Sequence, residues 1–340
     1  MLKQPNNLVV KAKAPSNIAF VKYWGKYGVQ MPLNPSISMT LSHSYTETSW
    51  ELIKSDSFSL EVYLDGELVP GFNKKITKWF DLLFTLNSED FEFLKTSKSI
   101  IRTHNTFPHS TGIASSASAF GALAMCLAQL HAKLNSRELE VEEVSELARL
   151  GSGSAARSIE GPFCEWGKSS ERYASAIKDI DTKFQNLKDA ICIVSSKEKE
   201  ISSTIGHGMM DEHVFKDARI KQANKNYHDI INAMQNGDLM EFGRILEQEA
   251  LSLHALMMSS HDSYTLLEGN SIELIKAVRQ WRQAHKEPLF FTLDAGPNLH
   301  LIYPASIEEK VRSFLSSNEV SSLVSNIIYD ELGSGAQVCN

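Results

Sequence analysis

The stretch from Thr106 to Ala119, Thr-Phe-Pro-His-Ser-Thr-Gly-Ile-Ala-Ser-Ser-Ala-Ser-Ala, constrains this chain more than any other. It follows a predicted strand, Ser99 to Thr103, and opens a predicted helix, Ala117 to Leu134. A strand that runs through small, hydroxylated residues into a helix leaves the first N–H groups of that helix without carbonyl partners. With the helix dipole, those groups form a site for an anion. Gly112 permits close backbone approach, and no acidic residue falls between Glu92 and Glu138. The loop is not a Walker A motif, because no Gly-Lys-Ser/Thr closes it. Read alone, it is a Ser-rich helix cap. Its company changes that reading.

Charge is the first piece of company. The chain of 340 residues has a formal net charge of −7, yet Met1 to Thr46 holds Lys3, Lys11, Lys13, Lys22 and Lys26 and no Asp or Glu. An acid-free, lysine-bearing start in an acidic protein suits a local site for an anionic small molecule. The overall acidity argues against a nucleic-acid partner. The length suggests two domains, divided here into 1–187 and 188–340. Four scattered cysteines, with no Cys-x-x-Cys, indicate neither a zinc site nor a disulfide framework. The most apolar helical stretch, Phe120 to Leu130, is too short to span a bilayer. The expectation is a cytoplasmic protein without a membrane partner.

Leu8 to Ala14 alternates as a strand, Pro15-Ser16-Asn17 breaks it, and Ile18 to Trp24 resumes. Lys22 therefore sits in an apolar run, where it either snorkels to solvent or meets an anion. Thr46 to Ile53 and Ser59 to Leu64 read as a hairpin pair, with Asp65-Gly66 a turn after them. Gly151-Ser152-Gly153-Ser154-Ala155-Ala156-Arg157 is a second Gly/Ser loop leading into a helix. An arginine near a helix N-terminus opposes the dipole. It is acceptable where it grips a carboxylate or phosphate, or where it pairs with Glu160. Lys197 to Met210 reads as a mobile flap. Asp211 to Asn236 and Asp238 to Met258 are long helices joined at Asn236-Gly237. His254 and His261 are seven apart, a weak metal signal. Asp294 ends an apolar strand before Gly296-Pro297. It is either a turn former or a carboxylate placed to accept a hydroxyl proton.

Four pieces now stand in order: Lys22-Tyr23-Trp24-Gly25-Lys26, the Pro108 to Ser116 loop, Gly151 to Arg157, and Asp294-Ala295-Gly296-Pro297-Asn298. Together with Ala14-Pro15-Ser16-Asn17-Ile18-Ala19 they closely resemble the diphosphomevalonate decarboxylase family. That family belongs to the superfamily of galactose, homoserine, mevalonate and phosphomevalonate kinases. The resemblance implies an α+β fold of two α/β domains. The first would be like ribosomal protein S5 domain 2 and the second ferredoxin-like, with the active site in the cleft between them.

It also implies a reaction. The family uses ATP and Mg²⁺ to phosphorylate the 3-hydroxyl of (R)-5-diphosphomevalonate, then releases phosphate and carbon dioxide to leave isopentenyl diphosphate. By position, Asp294 matches the aspartate that orients or deprotonates the hydroxyl, Lys22 the lysine beside it, and Arg157 the arginine on the substrate carboxylate. Asn17, Tyr23, Trp24, Gly25, Lys26, Ser152, Gly153, Ser154, Ala155, Ala156 and Thr204 match substrate contacts. Pro108, His109, Ser110, Thr111, Gly112, Ile113, Ala114, Ser115 and Ser116 match the ATP phosphate loop. No metal ligand is assigned. His109-Ser110-Thr111 departs from the frequent Thr-Ala-Ala, and Ala156 stands where Cys is frequent. Many relatives are homodimers, so a homodimer is expected. A 5-phosphomevalonate decarboxylase or a mevalonate 3-kinase is the nearest alternative, and a non-catalytic homologue the distant one.

Overall fold

The computed structural model describes residues 7–86, 89–108, 113–197, 201 and 203–339. The first half contains strands β1 (Asn7–Val21), β2 (Lys26–Tyr27), β3 (Met31–Pro32), β4 (Ser36–Lys54), β5 (Ser59–Leu64), β6 (Glu67–Leu68), β7 (Ser97–Asn105), β8 (Phe163–Trp166) and β9 (Ala174–Ala176). Its helices are α1 (Pro70–Leu86), α2 (Ser115–Asn135) and α3 (Val141–Gly151). The second half runs β10 (Leu187–Ile193), α4 (Ser203–Gly208), α5 (Lys216–Gln235), α6 (Leu239–Met258), α7 (Gly269–His285), β11 (Phe290–Thr292), β12 (Leu299–Pro304), α8 (Glu308–Leu315), α9 (Asn318–Ser321), β13 (Asn326–Glu331) and β14 (Gln337–Cys339).

The first sheet has the order β14-β1-β4-β7-β5-β6, with β8 and β9 added alongside β4. The second is antiparallel, in the order β11-β12-β10-β13. Strand, helices, hairpin, helices, strand in chain order, laid out in that sheet order, is the split βαββαβ arrangement of ferredoxin-like folds. The class is α+β, as expected.

Three differences from the sequence reading have physical causes. Pro15-Ser16-Asn17 does not end the strand: β1 continues to Val21, and the ladder with β4 slips register between Pro15 and Asn17. A bulge absorbs the ladder bond that proline cannot make. Residues 37–41 and 46–53 belong to one strand, β4, and β4 and β5 form no hairpin. Instead β7 lies between them, antiparallel to β4 and parallel to β5. Ile101 thereby faces both Trp50 and Val62, and the three make one buried row under α1 and α2. The Asp65-Gly66 turn joins β5 to β6, with φ of 53° and 87°.

The core that positions the cleft lies between the two sheets. Phe20 and Val21 of β1 and Ile37 and Met39 of β4 pack on Ile191, Phe242, Ile245 and Ile302. Phe242 meets the ring of Phe20 edge-on, with centroids 4.9 Å apart. Helix α6 reaches this core because Phe242, Ile245, Leu246, Glu249, Ala250 and Leu253 recur at helical spacing on one face. Its first turn is capped by the Asp238 carboxylate, which accepts the Met240 and Glu241 N–H groups.

Candidate active site

Lys22 follows β1 directly and is 1% exposed. Its backbone is held from every side. The N–H donates to Glu249 Oε2 at 2.9 Å, and the carbonyl accepts from Asn34 and Arg219. Glu249 itself takes both arms of the Arg219 guanidinium at 2.8 Å, plus the Asn226 amide at 2.7 Å. With that frame fixed, the Lys22 ammonium donates to the Ala19 carbonyl at 2.6 Å and to Asp294 Oδ1 at 2.8 Å. It does not snorkel.

Asp294 stands just beyond β11, in the connection to β12, with its side chain 28% exposed. Its carbonyl lies 3.1 Å from His254 Nε2. Burial pushes its carboxyl up, but the Lys22 ammonium outweighs that and holds it below the usual carboxylate range. Burial lowers the pKa of Lys22, with Asp294 opposing the shift. The pair presents one ionised carboxylate at the edge of a cleft.

Arg157 lies in a short 3₁₀ turn, Gly153–Ser158, and is 2% exposed. Its donors reach Ser38 Oγ at 3.0 Å, Ser36 Oγ at 2.6 Å and Asn17 Oδ1 at 3.4 Å. No described carboxylate forms an ion pair with it. The alternative partner, Glu160, instead accepts the Ala176 N–H at 3.0 Å. Burial lowers its pKa to about 10, with Asp294 opposing the shift. Asn17 ties this turn to β1, donating to Ser158 Oγ and the Ser154 carbonyl.

The two Gly/Ser loops meet. Ser152 Oγ donates to Ser116 Oγ at 3.2 Å. Helix α2 starts at Ser115, earlier than the spacing predicted, and no side chain caps it at Ala114. Ser16 donates to the Ile113 carbonyl and fixes the loop's exit. Beside Ser115 and Ser116, a recess lined by Val62, Leu64, Phe72, Lys75, Ile101 and Asn105 opens against α2. Pro108 is exposed. His109, Ser110, Thr111 and Gly112 lie outside the described residues.

Tyr23 is half-buried against Trp166, with centroids 4.8 Å apart, and its buried hydroxyl has no partner among the described residues. Gly153 is needed beneath it, since a Cβ there would lie 2.7 Å from that hydroxyl. Trp24 is buried among Met210, Leu253 and Met257. Gly25 turns at φ +87°, and Lys26 reaches Gln30 at 3.0 Å. Ala155 and Ala156 are buried, Ala156 beside Tyr23 and Trp166. Thr204 is exposed on α4, which is a helix where the sequence suggested a loop. His254 and His261 are not partners, because α6 ends at Met258. Among the described residues no three acidic, His or Cys side chains cluster as a metal site, and no helix is long and apolar enough to cross a membrane.

Two descriptions of known families cover this geometry end to end. The diphosphomevalonate decarboxylase-like N-terminal domain matches residues 14–177, and the mevalonate 5-diphosphate decarboxylase C-terminal domain matches residues 190–339. A diphosphomevalonate decarboxylase of Debaryomyces hansenii is 31% identical over 88% of this chain and 80% of its own. The chain belongs to the diphosphomevalonate decarboxylase family. Mevalonate diphosphate decarboxylase from Staphylococcus aureus superposes with a TM-score of 0.85 at 28% identity, covering 98% of each chain. MDDEF in complex with MVAPP, AMPPCP and magnesium gives 0.84 at 28% identity, over 98% of this chain and 99% of that one. Lys22 and Arg157 fall in the first matched domain and Asp294 in the second, so the Lys22–Asp294 bond joins the two.

Several residues of this family member escaped the sequence reading. Arg219 and Glu249 frame Lys22, and the available signal was a charge on the buried face of each helix, beside Ala223 and Asn226 or Leu246 and Ala250. His300 and Asp189, both buried, bond at 2.6 Å on the sheet face toward the cleft core. Burial pushes the Asp189 carboxyl up, with His300 opposing. His207, on α4, accepts the Gly25 N–H at 3.1 Å.

Proposed function

We propose that this protein catalyses the ATP-dependent decarboxylation of (R)-5-diphosphomevalonate to isopentenyl diphosphate, carbon dioxide, ADP and phosphate. The observation that carries the reading is the contrast in charge across the cleft: an ionised carboxylate held by Lys22, and a buried arginine with only neutral partners. Asp294 is the base that takes or directs the 3-hydroxyl proton, and Lys22 keeps it ionised at neutral pH. Arg157 receives the substrate carboxylate in its planar fork, with Asn17, Ser36 and Ser38 setting the fork's direction. Tyr23, Lys26, Ser152, Ser154 and Thr204 surround the phosphate tail.

ATP supplies the phosphoryl group that turns the 3-hydroxyl into a leaving group. The residues present fit it. The uncapped start of α2, Ser115 and Ser116 offer N–H and hydroxyl groups to phosphates, and the apolar recess beside them suits a nucleoside. Pro108 to Ala114 complete the loop. Mg²⁺ would be held chiefly by the ATP phosphate oxygens and water. Phosphoryl transfer asks a protein mainly for positioning and charge neutralisation, which these residues provide.

The division into 1–187 and 188–340 rests on the two separate sheets, with β14 (Gln337–Cys339) crossing back to the first. The scattered cysteines carry the cytoplasmic location, and the family resemblance carries the homodimer, which sedimentation equilibrium tests. The deciding experiment incubates purified protein with ATP and Mg²⁺ and each of mevalonate, its 5-phosphate and its 5-diphosphate, following carbon dioxide and ADP. The diphosphate is expected to give the highest kcat/KM. A higher value for the monophosphate overturns the substrate, and ADP without carbon dioxide makes the protein a kinase.

A further inference from the structure

His207 has no part in the assignments above, yet its surroundings are built. The residue is 9% exposed. Its ring packs between Tyr23 and Trp24, with centroids 4.4 and 4.7 Å away. Nδ1 accepts the Gly25 N–H at 3.1 Å. An imidazole nitrogen that accepts carries no proton, so the neutral ring bears its proton on Nε2. The neutral ring is the form present at pH 7, because burial, reinforced by the charges of Lys26 and Arg157, lowers its pKa to about 3. Nε2 bonds no described residue. A rigid N–H donor without a described partner therefore stands where the charges of Lys26 and Arg157 both act on the ring. A buried donor without a protein partner is the exception in folded proteins.

We propose that His207 is a substrate-binding residue whose Nε2–H donates to an oxygen of the substrate's phosphate tail. The proposal deepens the reading of this cleft as a diphosphomevalonate site and rests on it. The tail is favoured over the carboxylate by position. Gly25, which His207 holds, directly precedes Lys26, whereas the carboxylate falls to Arg157. His207 also ties α4 to the Tyr23–Lys26 segment, so the helix bearing Thr204 is placed by the same ring that reads the tail.

Two variants separate binding from support. In His207→Asn the amide oxygen takes the place of Nδ1 and keeps the Gly25 bond, but the outer donor is gone. In His207→Gln the longer amide reaches the Nε2 position, while the Gly25 bond is lost. KM for diphosphomevalonate should rise about tenfold in His207→Asn, the loss of one donor to a charged acceptor. Its kcat should stay within about twofold, and His207→Gln should stay near the wild type in both. The reverse order would make His207 a support of the Gly25 turn and overturn the proposal, as would two unchanged variants. Calorimetric titration with inorganic pyrophosphate decides the same point without turnover, with weaker binding expected in His207→Asn only. If the wild type binds pyrophosphate but does not decarboxylate diphosphomevalonate, the function is wrong and the pyrophosphate comparison still judges His207. Should a variant fail to fold, the Nε2–H resonance of ¹⁵N-histidine-labelled wild type must shift on adding pyrophosphate. An unmoved resonance overturns the proposal.

Discussion

Arg219 and Arg157 are both buried arginines that help to shape the same cleft, and they end on opposite kinds of partner. Arg219 meets the Glu249 carboxylate with both arms, and Glu249 spends its remaining capacity on Asn226 and the Lys22 N–H. That cluster is closed: every charge has its complement within the protein. Arg157 meets two serine hydroxyls and one amide oxygen. Removing a cation from water costs several kcal/mol unless it is paired, and neutral dipoles repay only part of that. On the proposed function, the negative charge of the substrate carboxylate completes Arg157. Asp294 stands between the two cases, bound by Lys22 on one side and 28% exposed on the other.

The comparison makes separable forecasts. Changes on the open side should cost turnover and spare stability, and changes on the closed side should do the reverse. The largest effect is expected from Asp294→Asn, nearly isosteric and at the cleft edge. Its kcat should fall about 10²–10⁴-fold, the usual contribution of a positioned base, with Tm near the wild type. Near-normal kcat at normal Tm would reduce Asp294 to a turn former.

Glu249→Gln comes next. Leaving Arg219 without a counter-charge should destabilise the fold by about 3–5 kcal/mol in urea unfolding. An enzyme as stable as the wild type but slow would mean that the closed cluster is not closed.

Arg157→Lys should cost about 1.5–3 kcal/mol in kcat/KM for the substrate, because a point charge cannot reproduce a two-point grip. KM for ATP should hardly move. Unchanged substrate use would remove the carboxylate from Arg157.

The smallest effect concerns pH. His207 titrates near 3 in the folded protein and near 6.5 unfolded. Between those values the unfolded chain binds the extra proton, so stability falls as pH drops from about 6.5 toward 3. Asp294 acts in the same direction at lower pH. Its folded pKa is depressed, so its contribution is intact above the ordinary carboxylate range and is lost as pH falls through the lower value. Urea midpoints from pH 7 to 5 should slope less in His207→Asn than in the wild type. Parallel slopes would show that the ring is not held neutral.

Much of the open side was legible in the sequence. Lys22 in an apolar run, Asp294 at a strand end and Arg157 in a glycine-rich turn each break a local rule, and functional residues tend to do so. The closed side was hidden because Arg219 and Glu249 are distant in sequence and each looks like one polar residue in a long helix. His207 was hidden for another reason: α4 has six residues, Ser203–Gly208, too few for a helical period. The hairpin expectation failed because alternation identifies a strand and not its neighbour. Only the shared row of Trp50, Ile101 and Val62 selects β7 as the strand between.

The first and last described strands lie side by side, with Lys11 opposite Cys339 and Lys13 opposite Gln337. The approach to β14 is stitched down as well. The Gly333 N–H donates to the Thr40 carbonyl at 2.8 Å, the Gly333 carbonyl accepts the Thr40 hydroxyl at 3.0 Å, and the Ala336 N–H reaches Ile159 at 2.9 Å. The polypeptide thus crosses between the sheets near residue 187 and again after β13. A body joined by one crossing can twist freely, whereas one joined by two is restricted to rocking about the line through them. With the buried core shared between the sheets, the two crossings leave the halves less free to twist than one would.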